Sequence, residues 1–261
     1  MIPLRDENPT LMTPWITFAL IAANVIVWVY VQGAGLSETA LVESICRYGT
    51  IPADLTGRAT GYEGIQLGPG APPCPLGGSR REALLTSLTG MFLHGSWMHL
   101  LANMWFLWLF GNNIEDSMGH LRYALFYILA GVAAIAAHIV SSPGSPVPTV
   151  GASGSISGVM GAYLLLYPRV RIQTLIFLVI FIRIVAVPAW LVLMYWFALQ
   201  VLSGYSTQLE EATGGVAFWA HVGGFVAGVV LVKLFENRTL VDARRRHIRL
   251  QPGQIRHHGW W

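Results

Sequence analysis

Four polar side chains interrupt long apolar stretches of this sequence: His99, Asn103, Ser153 and His221. Ionisable or strongly polar residues in such stretches are costly, which makes them functional candidates. A serine hydroxyl beside an imidazole is a nucleophile with its general base, and the imidazole can then protonate a leaving amine. Side-chain and backbone N–H groups can stabilise the oxyanion of acyl transfer. These residue types predict serine-based hydrolysis.

Four other polar residues receive a plainer interpretation. Asn24 and His138 also lie in apolar stretches, where a single polar side chain usually forms a hydrogen bond between helices. Ser155 and Ser157 follow Ser153 closely and are rival nucleophiles. We expect both to be packing hydroxyls.

The composition indicates what surrounds these residues. Hydrophobic residues make up 54% of the 261-residue chain and charged residues only 11%, against roughly a quarter charged in an average soluble protein. Because so few charges cannot cover a soluble fold, the sequence predicts an integral membrane protein. The net charge of +3, from 16 basic and 13 acidic residues, is too small to argue for a nucleic-acid partner.

Six apolar segments predict membrane-spanning helices, since a span needs about 20 largely apolar residues. They cover residues 11–31, 98–110, 121–140, 153–167, 184–202 and 217–235. Residues 172–182 are too few for a seventh span, and we interpret them as interfacial or re-entrant. We therefore expect an all-α integral membrane protein, a bundle of six transmembrane helices with both termini on one side.

The basic residues determine which side that is. With both termini in the cytoplasm, all 16 basic residues face inward except Arg47, Arg58, Arg80 and Arg81, as the positive-inside rule requires. The four exceptions lie in a long loop, where the rule is weak. We expect a multi-pass protein of the cell membrane, of the bacterial inner-membrane type, embedded in the lipid bilayer.

This topology divides the chain into a cytoplasmic N-terminus (1–10), a six-helix domain (11–236) and a basic cytoplasmic tail (237–261). We expect the tail to lie against anionic lipid headgroups. The outer loop 32–90 contains a Gly/Pro-rich run and is expected to be largely irregular. It holds both cysteines, Cys46 and Cys74. An oxidising outer face would permit a disulfide, but two free thiols are the favoured interpretation.

The predicted helices bring the polar residues to one depth. At about 1.5 Å per residue, His99, Ser153 and His221 each lie roughly 24–25 Å from a charged residue at the cytoplasmic end of their span. His99 and Asn103 are four residues apart and share one helix face. Prolines before Ser153 delay the start of its helix, whose N-terminus then presents unpaired N–H groups.

Small residues allow the helices that carry Ser153 and His221 to pack closely. They recur on both helices, as Gly154, Gly158 and Gly161 on the first and Ala220, Gly224 and Gly228 on the second. The sequence G-A-S-G at 151–154 is by itself weak evidence for a nucleophile. It is not the G-x-S-x-G elbow of soluble hydrolases. The combination of H-x4-H-x3-N, G-x-S-G and A-H-x-x-G-x-x-x-G is the specific pattern.

These motifs resemble the rhomboid family of intramembrane serine proteases, over about residues 84–234. The match comprises HGSWMHLLAN at 94–103, GASGSISG at 151–158 and AHVGG at 220–224. The resemblance implies a six-helix core with a water-filled cavity open to the outer face. It also implies that the substrates are transmembrane segments of other proteins. No cofactor or metal ion is expected.

The family roles carry over by motif position. Ser153 is then the nucleophile and His221 its general base, while His99, Asn103 and the Ser153 N–H form the oxyanion site. The resemblance also assigns supporting roles. Gly151 leaves the loop beside the nucleophile free of a side chain, and Glu115 is similar to the acid that anchors the loop after the second helix. The other supporting residues are His94, Gly154, Gly224 and Gly228.

Two positions depart from the family pattern. The Trp-Arg pair of the first outer loop has no counterpart before His94, and Ser157 replaces an aromatic residue that often packs against the base. No acidic residue lies at the right depth to orient His221, so we expect packing to hold its ring. Substrates are expected to enter between the second and fifth spans, where Trp190, Trp196 and Phe197 are gate packing or lipid-facing aromatics.

Three other functions compete with proteolysis. His94, His99 and His221 could bind zinc, but the H-E-x-x-H motif of metalloproteases is absent. A transporter would usually show paired repeats with broken helices. A catalytically inactive rhomboid-like protein could bind client transmembrane helices, although the retained Ser153 and His221 argue against this function.

Overall fold

The computed structural model describes residues 1–59, 64–68, 72–178, 181–209 and 216–246. This part of the chain is mostly helical. Its α-helices are α1 (Trp15–Ile26), α2 (Glu38–Tyr48), α3 (Pro52–Thr56), α4 (Arg80–Thr89), α5 (Trp97–Met118), α6 (His120–Ser141), α7 (Ser153–Leu166), α8 (Ala189–Leu209), α9 (Phe218–Phe235) and α10 (Arg238–Arg245). Its strands are β1 (Ile2–Asp6), β2 (Arg171–Leu178) and β3 (Phe181–Pro188).

Three helices in the described part are long and apolar enough to cross a membrane: His120–Ser141, Ala189–Thr207 and Phe218–Phe235. Two shorter apolar helical segments, Trp15–Val31 and Ser153–Leu166, lie on the first and fourth predicted spans. The second predicted span lies on α5, whose C-terminal half carries polar residues. The fifth predicted span began too early, because residues 184–188 belong to a strand. This predicted span also ended too early, since α8 continues to Leu209.

The expectation of an all-α fold is wrong at residues 171–188. Strands β2 and β3 form an antiparallel hairpin with Arg171 opposite Pro188 and Leu178 opposite Phe181. Strand β1 pairs antiparallel with β2, which is therefore the central strand of the sheet. β-Branched and aromatic residues favour strands, and the N-terminus supplies the third strand from far away in sequence. The hairpin adds no seventh helix.

Two buried acids of α5 hold the start of α1. Glu115 accepts hydrogen bonds from the backbone N–H groups of Ile16 and Thr17 at 2.9 and 2.8 Å. Asp116 accepts from the N–H groups of Leu11 and Met12 at 2.6 and 2.9 Å. Helix α1 has no side-chain cap of its own, so Glu115 satisfies donors at its positive end from across the bundle. Asp116 holds the segment that leads into the helix.

Helices α7 and α9 approach each other along their glycines. An added Cβ on Gly224 or Gly228 of α9 would overlap the backbone carbonyl of Gly154 or Gly158 on α7. Only hydrogen fits at these two positions, and the glycines let the backbones come into direct contact. This contact sets the distance between the beginning of α7 and the beginning of α9.

The described residues of the loop 32–90 are more ordered than the expectation of a largely irregular segment. The loop contains α2, α3 and α4, and a capping box of Ser79 and Glu82 begins α4. Hydrogen bonds from Ser79 lower the pKa of the exposed Glu82 carboxyl. Glycine and proline content did predict turns, but helix-capping residues between those turns start new helices.

The two cysteines form a disulfide, which corrects the favoured expectation of free thiols. Cys46 and Cys74 have Cα atoms 5.2 Å apart, and Cys46 belongs to α2. Backbone hydrogen bonds between Ile65 and Cys74 hold the second cysteine in a short antiparallel bridge. Local sequence does not reveal this pairing, because the intervening loop brings the two residues together only in three dimensions.

The beginning of the basic tail packs on protein. The backbone N–H of Asn237 donates to the Ser117 carbonyl at 2.8 Å, and Leu240 and Val241 of α10 are buried. Residues 237–246 therefore dock at the C-terminal end of α5. The rest of the predicted tail, residues 247–261, lies outside the described residues.

Candidate active site

Ser153 and His221 lie within hydrogen-bond distance of each other. The Ser153 Oγ is 2.7 Å from the His221 Nε2, although the residues are 68 positions apart in sequence. Ser153 is the first residue of α7, and His221 lies in the first turn of α9. The glycine contacts between these two helices bring the side chains together. The two groups thus have the geometry of a serine nucleophile and its base.

The rival serines are committed elsewhere. The Ser157 hydroxyl donates to the Ser153 carbonyl at 2.6 Å, and the Ser155 hydroxyl faces the Met91 sulfur at 3.9 Å. Both serines are 1% exposed. Ser153 is therefore the serine of this segment that pairs with the imidazole.

Gly151 brings the loop backbone against His99. Its φ is +126°, a conformation that residues with a side chain rarely adopt. An added Cβ would lie 2.9 Å from both Cε1 and Nε2 of His99 and 3.5 Å from the Ser153 Oγ. Helix α7 begins after Ala152 with no side-chain cap. Uncapped N–H groups and the His99 ring thus border the Ser153 hydroxyl.

Asn103 lies one turn beyond His99 on α5 and is 6% exposed. Its side-chain Nδ2 is buried without a hydrogen-bond partner among the described residues. A buried amide donor that lacks a partner is costly, and an oxyanion would satisfy it. Unlike His99, Asn103 does not line the cavity in front of Ser153.

A cavity of about 930 Å³ lies in front of the serine. Its wall includes Ser153 and His221, the predicted oxyanion residue His99, and Gly131 and His138 of α6. The loop residues 144–151 form another side of it. The cavity therefore gives a ligand access to the Ser153 hydroxyl.

A family model described as the Rhomboid domain matches residues 81–238, more than half of the chain. The chain belongs to the rhomboid family. The matched region contains α5 to α9 and every residue predicted for the site.

Three similar proteins illustrate the relation. Rhomboid-like protease 5 of Toxoplasma gondii is 34% identical over 147 residues, which cover 54% of this chain and 15% of that protein. RHOMBOID-like protein 5 of Arabidopsis thaliana is 26% identical over 254 residues, covering 88% of this chain and 71% of its own length. Rhomboid protease GluP of Bacillus subtilis (strain 168) is 40% identical over 77 residues, covering 30% of this chain and 15% of that protein.

In this rhomboid, His94 contacts His99. Their rings pack edge to face with centroids 5.0 Å apart. The Gln32 side chain bonds both the N–H and the carbonyl of His94, at 2.8 and 2.7 Å. Burial of the His94 ring, which precedes α5, lowers its pKa to about 3, so the ring is neutral at neutral pH. His94 therefore contributes packing and no charge beside His99.

Glu115 lies near the C-terminal end of α5, whereas His99 lies near the N-terminal end of the same helix. Glu115 contacts His120, the first residue after the α5–α6 linker, with 2.5 Å between Oε1 and Nδ1, and it also bonds α1 as described above. Its predicted role concerned the loop after the second helix, and the structure adds the anchoring of α1. Gly154, Gly224 and Gly228 lie in the α7–α9 contact.

Two residues of α8 contact His221, and one of them, Gln200, is not among the residues predicted for the site. The Gln200 Oε1 is 2.7 Å from the His221 Nδ1. The Trp196 ring centroid lies 5.8 Å from the imidazole centroid. Trp196 therefore packs against the base, as the aromatic residue that Ser157 replaces often does in the family. The expectation that packing alone orients His221 is therefore wrong. The sequence does carry an indication of this contact, because Gln200 is a polar residue in an apolar span, four positions after Trp196.

The three histidines considered for zinc do not converge. Among the described residues, no group of three or more His, Cys, Asp or Glu side chains is placed to hold a metal ion. His221 is engaged by Ser153 and Gln200, while His94 and His99 pack against each other. The zinc hypothesis has no ligand set in this part of the chain.

Proposed function

We propose that this rhomboid is an intramembrane serine endopeptidase that cleaves transmembrane segments of other membrane proteins. The hydrogen bond between Ser153 and His221, at the wall of a cavity, carries the proposal. Two of the similar proteins are named proteases, which agrees with this activity.

The reaction follows from the two side chains. The His221 Nε2 takes the Ser153 proton as Oγ attacks the carbonyl carbon of a substrate peptide bond. When the tetrahedral intermediate collapses, the same imidazole protonates the leaving amine and an acyl-enzyme remains. Water then attacks the ester with His221 again as general base, which releases the acid product and restores Ser153.

His99, Asn103 and the Ser153 N–H form the proposed oxyanion site. The uncapped N-terminus of α7 contributes the positive end of the helix dipole beside the reacting carbonyl. The Asn103 Nδ2 is buried without a hydrogen-bond partner in the part of the chain that the structure describes, and this donor is available for developing negative charge. Gly151 keeps the loop close to the His99 ring and the Ser153 hydroxyl without a side chain in the way.

All six helices on the predicted spans cross the membrane in the proposed topology, with both termini in the cytoplasm. The proposed protease domain is residues 11–236. The water-filled cavity opens to the outer face, where loop 32–90 and its disulfide lie. The hairpin bears Arg171 and Arg183, whose charges favour the cytoplasmic side, and it leaves the number of crossings even.

Peptide bonds in an intact helix are shielded by the helix hydrogen bonds. A substrate must therefore unwind locally, which favours helix-breaking and small residues near the cleaved bond. Substrates enter between α5 and α8 in this proposal. Phe197 of α8 stacks on Phe225 of α9, with centroids 4.6 Å apart, while Trp190 is 48% exposed. Trp190 thus faces outward from the bundle.

Labelling with a serine-directed fluorophosphonate probe tests the proposal. Wild-type protein in detergent should be labelled and should cleave a model transmembrane substrate. Ser153→Ala and His221→Ala should do neither and should keep their thermal unfolding temperatures. Ser155→Ala is the matched serine control and should retain labelling.

Full activity in Ser153→Ala would rule out this nucleophile. A wild-type protein that is folded, fails to react with the probe and still binds transmembrane peptides would instead identify a non-catalytic client-binding rhomboid.

A further inference from the structure

His221 has a hydrogen-bond partner on each ring nitrogen. Its Nε2 faces the Ser153 Oγ and its Nδ1 faces the Gln200 Oε1, both at 2.7 Å. An imidazole acts as a base towards serine only when the nitrogen that faces the hydroxyl lacks a proton. The group on the other nitrogen therefore decides whether the ring is ready to react.

The orientation of the Gln200 amide follows from its second contact. Its Nε2 lies 3.5 Å from the carbonyl oxygen of Trp196, one turn earlier on α8. The amide nitrogen is a donor and therefore faces that carbonyl, which directs Oε1 towards His221. Because Oε1 only accepts, the proton of neutral His221 lies on Nδ1 and leaves Nε2 free to accept from Ser153.

Two aromatic rings restrict the same imidazole. The Trp196 ring lies 5.8 Å from the His221 centroid at an interplanar angle of 34°. Phe218, on the first turn of α9, meets it edge-on with centroids 6.5 Å apart. Trp196 and Gln200 are four residues apart on α8 and share one face, so a single helix supplies both a packing surface and a hydrogen-bond acceptor.

We propose that Gln200 is a positioning residue that completes a Ser153–His221–Gln200 triad. This proposal rests on the proposed protease function and adds the group that selects the tautomer and rotation of the base. The amide takes the place that a carboxylate holds in other serine hydrolases. A neutral acceptor suits this site, because it orients the imidazole without placing a charged carboxylate beside it inside the bundle.

The pH readout depends on the charges near His221. The titratable side chains that act on it electrostatically are His99 on α5 and His138 on α6. Neither changes in the variants below, so a shift in the pH profile reports on the group at position 200.

Three variants of the full chain test the triad. Gln200→Leu removes the acceptor at similar volume, Gln200→Asn keeps an amide but shortens its reach, and Gln200→Glu restores an acceptor with charge. Ser206→Ala is the matched control on α8, because its hydroxyl bonds the Leu202 carbonyl on the exposed side. Thermal unfolding in detergent establishes that each variant is folded.

Gln200→Leu and Gln200→Asn should lower kcat about tenfold or more with KM within about twofold, since a base in the wrong tautomer loses activity while substrate binding is spared. Gln200→Glu should recover most of the activity. Its acidic limb should shift to higher pH, because a carboxylate stabilises the imidazolium. Ser206→Ala should match the wild type.

Nitrogen-15 NMR of ring-labelled histidine provides a readout that does not need turnover. The His221 signals, assigned by their loss in His221→Gln, should show a protonated Nδ1 in the wild type and a mixture of tautomers in Gln200→Leu. Unchanged rates and an unchanged tautomer in folded Gln200→Leu would overturn the triad while leaving the protease proposal intact. A wild-type protein that the fluorophosphonate does not label would overturn the protease function. The NMR result would still decide whether Gln200 positions His221.

Discussion

Thr50 and Thr149 exchange two backbone hydrogen bonds, with N to O distances of 3.0 and 2.7 Å. Thr50 follows α2, which carries Cys46, and Thr149 belongs to the loop before Ser153. Two further bonds join the same segments, from the Ala53 N–H to the Ser145 carbonyl at 3.0 Å and from the Thr56 hydroxyl to the Pro143 carbonyl at 2.6 Å. The outer loop thus braces the cavity wall.

Removal of the disulfide should weaken this brace. The bond joins residues 28 positions apart, and closing a loop of that size stabilises a fold by about 2–4 kcal/mol in the chain-entropy model. Cys46→Ser, Cys74→Ser and the double variant should lower the unfolding temperature to a similar extent. Reduction of the wild type should reproduce the effect, and unchanged melting in all four samples would contradict it.

Gly151→Ala should lower activity more than it lowers stability. Its Cβ would collide with the His99 ring, and the positive φ would be strained. The loop must then move away from Ser153, and we expect turnover to fall at least tenfold, the scale on which small misplacements at a reacting centre act. Gly144→Ala is the control on the same loop, because its Cβ would meet nothing within 4 Å. Equal rates for both variants would contradict the close approach to His99.

Asn103→Ala should lower turnover about a hundred- to a thousandfold, the usual effect of losing one oxyanion donor, and less if His99 compensates. Labelling by the fluorophosphonate should suffer less than in Ser153→Ala, since the nucleophile remains. Asn24→Ala is the control, because it removes another buried amide, whose Nδ2 donates to the Leu20 carbonyl within α1 at 2.7 Å. This variant should keep the wild-type rate. A normal rate in Asn103→Ala would assign this residue to helix packing.

Gly228→Ala should separate α7 from α9. The added methyl overlaps the Gly158 carbonyl, and overpacking of this kind typically costs about 1–3 kcal/mol. We expect a lower unfolding temperature together with slower labelling of Ser153, because the same contact aligns the dyad. Val230→Ala, at a side chain that is 65% exposed on α9, should change neither, and a Gly228→Ala variant that melts like wild type would refute the contact.

The topology can be read with reporters on the full chain. A reporter inserted at the hairpin tip, between Leu178 and Phe181, and another placed after Arg246 should both read cytoplasmic. A third between Leu209 and Val216 should read external. A cytoplasmic reading at the third position would place the start of α9 on the wrong side and overturn both the six-span arrangement and the catalytic mechanism built on it.

The sequence by itself determined the class of the molecule and the two groups that meet at its site. Apolar length and the scarcity of charge are local properties, and they predicted α6, α7 and α9 with end points close to those observed. They also predicted the start of α5, but this helix continues past the predicted end at residue 110 to Met118. Ser153 and His221 were predictable because a polar residue in an apolar span is costly and must have a reason.

Tertiary structure decided what depends on partners distant in sequence. Residues 171–178 became the central strand of the sheet because β1 and β3 pair with it on its two sides. Periodicity alone does not distinguish a short apolar strand from a short apolar helix segment. Cys46 met Cys74 through the fold of the outer loop. Gln200 reached His221 because α8 packs on α9 with that face inward. Such contacts arise from helix rotation and loop path, which no local pattern of residues encodes.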